Sequence, residues 1–491
     1  MVHPLELHGI RFNIGVYLNT NDLINCSRVS KEWNSTFSNL IWRHVILHDP
    51  RLPPLEQIQA HAEHIYTLAI CFLPDWNYSR LNLPRLHSIK VYPNVATPNV
   101  VLLLDTLIRN HSSSLKRFQI TGGNSLIPSG IFNAIGICSS LMSLKLSRVT
   151  LTLDAVKALF AACGNKGQVA RDAQKKDYAT SRSKSSGLVS LRLTDLRFQS
   201  FDTTALSTLA PLPHLEHIDI QRTHGIGASG FLRLLVLCPN IKSFYWRHIM
   251  TGTSFRVDKW INLVESRAWP RLSCLDVLGE EFKDEGLCRV IKSLPLPLEK
   301  FMVRSTGFGH RSFNALMSAE RHYNHIQELE LAGCLDVTSD MIQQIMTRMP
   351  ALEYFSACRL YVTDILGISI MDHKDTKNNQ EWVCTNLRTL RLCIDMGKAF
   401  DPGSSGYDEL QRQVYHRLSN LKVLETLNVG RDLPYLEHLK YLEANASVQR
   451  LDSRPSAGLG YLLSLERLKK FSSKPGESLT LRDIELMMER C

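Results

Sequence analysis

The chain has 491 residues, 44% apolar and 21% charged, which excludes wholesale disorder and fits a few ordinary domains or one long repeat array with a small appendage. Its 57 basic and 47 acidic residues give a formal charge of +10, which permits acidic partners; no aromatic-plus-basic cluster accompanies it, so nucleic acid is not expected. Twelve cysteines without a C-x-x-C pair, no secretory leader pattern and only short apolar runs predict reduced thiols, no membrane span and a cytoplasmic or nuclear setting.

Residues 1–47 read as three short amphipathic helices. Leu5, Leu7, Ile10, Ile14 and Leu18 mark the first, and Asp22-Leu23-Ile24 opens a second with Asn21 as its cap. Ser30 leads a third through Trp33, Phe37 and Leu40, closing on Trp42 and Val45. So short a segment is too small for a robust core of its own, so it leans on the rest of the chain or on a partner.

From residue 48 to 491 the organisation changes. An apolar triplet spaced as L-x-x-L-x-L returns thirteen times, from Ile65-Leu68-Ile70 to Leu424-Leu427-Val429. Of the twelve steps between triplets, four are 26 residues and three more lie between 27 and 29, inside the range of about 20–29 residues for leucine-rich repeats. One unit shows the physics. Ile326-Gln-Glu-Leu329-Glu-Leu331 alternates at period two and predicts a half-buried strand. A turn with Cys334 and a cap at Thr338 or Ser339 then lead to a helix over Met341–Met349. A lone strand and helix cannot bury that apolar face, whereas stacked neighbours can. The fold class is therefore α/β: a leucine-rich-repeat horseshoe solenoid with parallel concave strands and outer helices, preceded by a small three-helix segment. A stretch at 164–187, with six Lys or Arg against two Asp and the run Ser181-Arg-Ser-Lys-Ser-Ser, reads as a disordered basic surface loop open to phosphorylation. Residues 372–386 and 397–407 read as further loop insertions, and 479–491 as a helix.

Cys334 with Val337-Thr338-Ser339-Asp340, Asp284-Glu285-Gly286-Leu287, and Cys238-Pro239-Asn240-Ile241 resemble the cysteine-containing subtype of leucine-rich repeat. These cysteines read as small core fillers without a metal or redox role. The opening segment carries a second resemblance. Pro4-x-Glu6-Leu7, Ile10, Leu18, Asp22-Leu23, Cys26, Val29-Ser30, Trp33 and Ile41-Trp42-Arg43 resemble the F-box, with His3 in place of the usual first leucine. The pair of resemblances implies a substrate-receptor subunit of a cullin–RING ubiquitin ligase, docked by its F-box on a Skp-type adaptor that bridges to cullin. Pro4, Leu5, Leu7, Ile10, Leu23 and Val29 are the candidate adaptor contacts, while Trp33 and Trp42 are read as internal packing.

On a strand, residues between the buried ones face the concave surface. That places Lys90, Tyr92, Arg117, Lys145, Arg192, Tyr245 and Arg247 there as candidate substrate contacts, along with Lys300, Arg304 and Arg391 and the acids Asp219, Asp276, Glu328 and Glu330. Arg117, Lys145, Arg192 and Arg247 are expected to receive an acidic or phosphorylated segment of a protein substrate. Gly225-Ile-Gly227-Ala-Ser-Gly230 spells G-x-G-x-x-G, yet no acidic residue follows at ribose distance, so it reads as a repeat turn in which Ile226 packs and Gly230 eases the chain. No catalytic group, cofactor or metal is expected. The alternative is a repeat scaffold or inhibitor without ligase function.

Overall fold

Alternation within each triplet makes one strand face apolar and the other polar, and a strand so patterned is stable only between neighbours of its own kind. The structure, a computed structural model, describes residues 7–48, 53–71, 76–92, 98–164, 187–199, 206, 208–247, 257–366, 381–396, 405–429, 458–472 and 479–489. It divides into two compact units, residues 1–241 and 242–491.

In the first unit β1 (His44–Leu47), β2 (Thr67–Ile70), β3 (Ser88–Val91), β4 (Arg117–Leu126), β5 (Ser143–Thr152), β6 (Ser190–Gln199) and β7 (His217–His224) pair in sequence order, each parallel to the next. Register aligns Leu68, Ile89, Phe118, Leu144, Leu191 and Ile218 in a single buried row. The second unit repeats the arrangement with β8 (Ser243–Arg247), β9 (Cys274–Leu278), β10 (Lys300–Arg304), β11 (Glu328–Glu330), β12 (Tyr354–Tyr361), β13 (Thr389–Asp395), β14 (Thr426–Asn428) and β15 (Lys470–Ser472). Its buried row runs Phe244, Leu275, Phe301, Leu329, Phe355, Leu390, Leu427, Phe471.

The middle residue of every one of the thirteen triplets lies on a strand, β2 through β14. One further strand stands before them and one after. β1 occupies the end of the segment read as helical, so the helices stop at Ile41 and the sheet starts at His44. β15 lies beyond Val429, followed by an antiparallel bridge from Phe471 to Leu479 and a helix over Leu481–Glu489. The chain returns between strands through helices such as Pro98–Asn110 and Ser129–Gly136 in the first unit, and Asp284–Ser293, His310–Ser318 and Ser339–Arg348 in the second. The last of these buries Met341, Ile342 and Ile345 as expected, with the Thr338 hydroxyl accepting from the Met341 N–H at 3.3 Å. Residues 165–186, the body of the basic insertion, lie outside the described residues, as do 372–380 and 397–404.

Polar groups tie one repeat to the next. The Asp284 carboxylate accepts from the backbone N–H groups of Gly309 (3.0 Å), Arg311 (2.9 Å) and Ser312 (2.8 Å), capping the helix of the following repeat. Burial raises the Asp284 pKa, but the Ser312 hydroxyl and these N–H groups outweigh it and hold the carboxyl below its ordinary value. Cys138, Cys238 and Cys334 are buried thiols donating to the carbonyls of Ala134 (3.6 Å), Leu234 (3.5 Å) and Val303 (2.8 Å). Burial pushes the thiols of Cys238, Cys334 and Cys384 up to about 12, so they stay protonated core fillers.

Two histidines act as internal staples. His111 accepts from the Leu83 N–H at 3.0 Å and hydrogen-bonds the Leu107 carbonyl at 2.8 Å. His322 does the same between the Leu298 N–H (3.2 Å) and the Ile291 carbonyl (3.1 Å), which requires a neutral ring. Burial pulls the His322 pKa down to about 4. The unfolded chain, titrating near 6.5, then binds the extra proton between those values, so this stability is complete above pH 6.5 and is lost as the pH falls towards 4. The expected loss is about 3 kcal/mol across that window. Denaturant unfolding followed at pH 7 and pH 4.5 should show a smaller pH dependence for His322→Gln than for the unaltered chain. Equal slopes would remove His322 from the account.

Candidate protein-interaction surfaces

The opening helices are α1 (His8–Gly15), α2 (Thr20–Ser27) and α3 (Lys31–Ile41). Asn19 caps α2 by accepting from the Asp22 N–H at 3.0 Å, in place of the expected Asn21, and Ser30 caps α3 by accepting from the Trp33 N–H at 3.2 Å. Leu23, Phe37 and Leu40 form the core, with Leu18, Cys26, Trp33 and Ile41 packed around it. α1 settles on α3 through Gly15, where a Cβ would stand 2.4 Å from Leu40 Cδ1. Trp42 stacks on His61 with ring centroids 4.3 Å apart. Both tryptophans are therefore packing residues.

Leu23 is only 7% exposed, so it supports the helices from within and does not offer an adaptor contact. Leu7, Ile10 and Val29 do lie on the surface, whereas Pro4 and Leu5 fall outside the described residues. Four further apolar side chains share that exposure: Phe12, Ile14, Val16 and Tyr17, the last 90% exposed. The overlooked signal is that α1 and its C-terminal turn are apolar on more than one side, at positions 10, 12, 14, 16 and 17, which a helix covered on one face does not need.

On the open face of the first unit, β1 to β5 contain no Asp or Glu. Register places Lys90, Gln119, Lys145, Arg192 and Asp219 in one row, and Ser88, Arg117, Ser143 and Ser190 in the next. Arg192 Nε meets the Asp219 carboxylate at 2.8 Å. Tyr92 is exposed just past β3. Lys90, Arg117 and Lys145 have no carboxylate partner among the described residues.

The second unit's open face neutralises itself. Asp276, 0% exposed, receives Arg247 Nη2 at 2.5 Å and Arg304 Nη2 at 2.8 Å. Lys300 pairs with Glu328, and the Tyr354 hydroxyl donates to Glu330 at 3.1 Å while Arg391 lies over the Tyr354 ring. The Arg247 guanidinium also lies 5.8 Å from the centroid of half-buried Tyr245. Arg192 and Arg247, expected to grip an acidic ligand, are thus already engaged with carboxylates of their own sheet.

Residues 10–48 match the family model described as F-box-like. The F-box-like stretch therefore covers α1 from Ile10, α2, α3 and all of β1. No curated protein matches the chain as a relative. Among solved structures, a chain of the Rad7–Elc1 complex of yeast is 13% identical over 81% of this chain and 92% of its own, with a TM-score of 0.44. A leucine-rich-repeat protein of Leptospira interrogans is 12% identical over 89% of this chain and 97% of its own, with a TM-score of 0.36. An internalin of Listeria monocytogenes is 11% identical over 72% and 88%, with a TM-score of 0.36. The repeat architecture itself rests on the strand register: an F-box-like segment is followed by leucine-rich repeats.

Gly225 explains the G-x-G-x-x-G run. Its φ is +87°, and a Cβ there would stand 2.1 Å from the Phe198 carbonyl oxygen. Ile226 is buried, as expected, but Gly230 sits inside the helix Gly227–Val236, so the turn depends on Gly225. Among the described residues, no group of three His, Cys, Asp or Glu side chains could hold a metal ion, and no helix is long and apolar enough to cross a membrane.

The Arg247–Asp276–Arg304 triad makes a structural prediction. Asp276→Ala leaves two guanidinium groups facing each other over a buried gap, and should cost on the order of 3 kcal/mol in denaturant unfolding. A change below about 0.5 kcal/mol would class the triad with ordinary surface ion pairs.

Proposed function

We propose that the chain is the substrate-recognition subunit of a Skp–cullin–F-box ubiquitin ligase, acting without a catalytic group of its own. One observation carries this reading: the F-box-like match coincides with an exposed apolar surface on α1 and the turns beside α2, made of Leu7, Ile10, Phe12, Ile14, Val16, Tyr17 and Val29. A surface of this kind marks a place where a partner binds, and each such side chain contributes roughly 1.5–3 kcal/mol when fully buried. By the F-box resemblance, that partner is a Skp-type adaptor, and through it cullin–RING. The repeat sheet then presents its open face to a target protein. Holding the target on the same chain as the adaptor raises the local concentration of its lysines near the charged conjugating enzyme, which is the chain's whole contribution to ubiquitin transfer and to proteasomal degradation. The working place of such a subunit is the cytoplasm or the nucleus.

Leu7 and Ile10 are exposed, so Leu7→Asp combined with Ile10→Asp should leave thermal unfolding unchanged and abolish co-purification with the adaptor. Leu23→Asp should instead unfold the helices. If the double variant still captures the adaptor, the contact does not lie on Leu7 and Ile10; if the unaltered chain captures none, the chain is a repeat scaffold and not a ligase subunit.

A further inference from the structure

We propose that the open face of the first unit is an anion seat, in which Lys90, Arg117 and Lys145 grip an extended acidic segment of the captured protein. The seat deepens the receptor reading in one respect only, that the gripped segment belongs to the ubiquitination target.

The contrast between the two units makes the argument. Both build the same parallel ladder, which brings side chains of adjacent strands to about 4.8 Å spacing. In the second unit that proximity is met by opposite charges: Arg247 and Arg304 on Asp276, and Lys300 on Glu328. In the first unit three cations stand on three successive strands, β3, β4 and β5, and no acid stands on any strand from β1 to β5. Their surroundings are small hydroxyls, with Ser88 and Ser143 flanking Arg117 in register and the Gln119 amide between Lys90 and Lys145. Nothing among the described residues neutralises the three, and hydroxyl and amide groups are what an anion's remaining lone pairs need.

The rim beside the seat holds further cations, one of which, Arg85, also lies 3.8 Å from the Glu63 carboxylate. The Arg43 guanidinium lies over the Tyr66 ring at 5.4 Å, His87 stacks on the other neighbour side at 5.4 Å, and Arg85 donates to the Tyr66 hydroxyl at 3.2 Å. Burial, then Arg43 and Lys90, hold His44 below its ordinary pKa, and burial, then Lys116 and Arg117, do so for His87. Burial is the larger cause at both histidines, and the neighbouring cations add to it.

Spacing selects the segment. Lys90 and Lys145 lie two strands apart, about 10 Å across the ladder. In a polyproline II segment, residues three apart share one side at about 9 Å. Acidic side chains at i and i+3 therefore match the two lysines, with Arg117 reaching the peptide between them. Carboxylate and phosphate share the required chemistry.

The test uses the full chain and three labelled peptides that are identical except for Glu, phosphoserine or Gln at positions i and i+3. Fluorescence anisotropy should show binding of the Glu or the phosphoserine peptide, weakening as salt rises, and none of the Gln peptide. The relative affinities of the first two identify the source of the negative charge. Lys90→Glu with Lys145→Glu should lower the affinity on the order of tenfold or more. The milder pair Lys90→Gln with Lys145→Gln should lower it less, and Arg391→Gln in the second unit should not change it. Equal binding of the Gln peptide, indifference to the lysine changes, or tighter binding of a single-stranded RNA of matched charge would overturn the seat. Adaptor binding measured on the same samples separates the two readings. For the unaltered chain, failure to bind the acidic peptides with the adaptor still bound refutes the seat alone, and failure to bind the adaptor with the acidic peptides still bound refutes the ligase role alone.

Discussion

Backbone pairing between successive repeats constrains everything else in this molecule. A strand of four residues such as β2 has too little surface to hold itself, and its apolar row gains stability only when the next strand aligns in the same register. Once Leu68 sits beside Ile89 and Ile89 beside Phe118, each neighbouring residue on the open face has an assigned partner 21 to 47 positions away in sequence. A slip of one residue would turn the polar row inward, so the buried row dictates the surface row. The Asp284 cap and the His322 staple work under the same rule, because each binds backbone groups of an adjacent repeat.

Forced proximity gives the surface rows two outcomes. Where charges alternate, the ladder becomes a chain of ion pairs. Along one edge of the second unit, Arg388 meets Glu353 and Glu425 at 3.5 Å each, and Lys469 meets Glu425 at 2.5 Å. Such exposed pairs individually add little, but in a row they fix register and leave no net demand for a ligand. Where like charges line up, as at Lys90, Arg117 and Lys145, the repulsion is a standing cost that an anion relieves. The two units thus divide the work of one fold, one sheet face closed electrostatically and the other left open.

The repeat itself was legible from one-dimensional spacing, because burial at period two imprints directly on residue type at Leu144 or Leu329. β1 and β15 were harder. Val45 and Leu47 alternate correctly, but they follow a helix without a turn signal and merge with its apolar pattern, while Phe471 is separated from Val429 by more than one ordinary repeat length. The ion pairs could have been read: Arg192 and Asp219 stand 27 residues apart, the very step between their two triplets, and Arg247 and Asp276 differ from their own step by two. Asp276 accepts its two arginines from strands on either side, a relation visible only after the triplets are aligned. Leu23 was misplaced because a motif pattern mixes residues that build the helices with residues that meet a partner. Only burial separates the two.

Strand length adds a last difference between the units. β4, β5 and β6 have ten residues each, where β8, β9 and β10 have five. The long strands pass through a left-handed residue at matching positions: Asn124 (φ 65°), Arg148 (φ 51°), Asp195 (φ 53°) and, in β7, Arg222 (φ 49°). Asparagine and aspartate tolerate that conformation, but arginine does so at a cost of roughly 1 kcal/mol or more. Arg222 offsets it by a two-pronged grip on Asp195, at 2.7 and 2.9 Å. The stacked corner lets each strand continue after turning, so that the ladder of the first unit extends beyond its apolar triplet by several residues. A narrow five-residue strand presents two or three outward side chains, enough for a self-paired row. The extended strands of the first unit present more, and two of the three unneutralised cations, Arg117 and Lys145, sit on them, with Lys90 on the neighbouring four-residue β3.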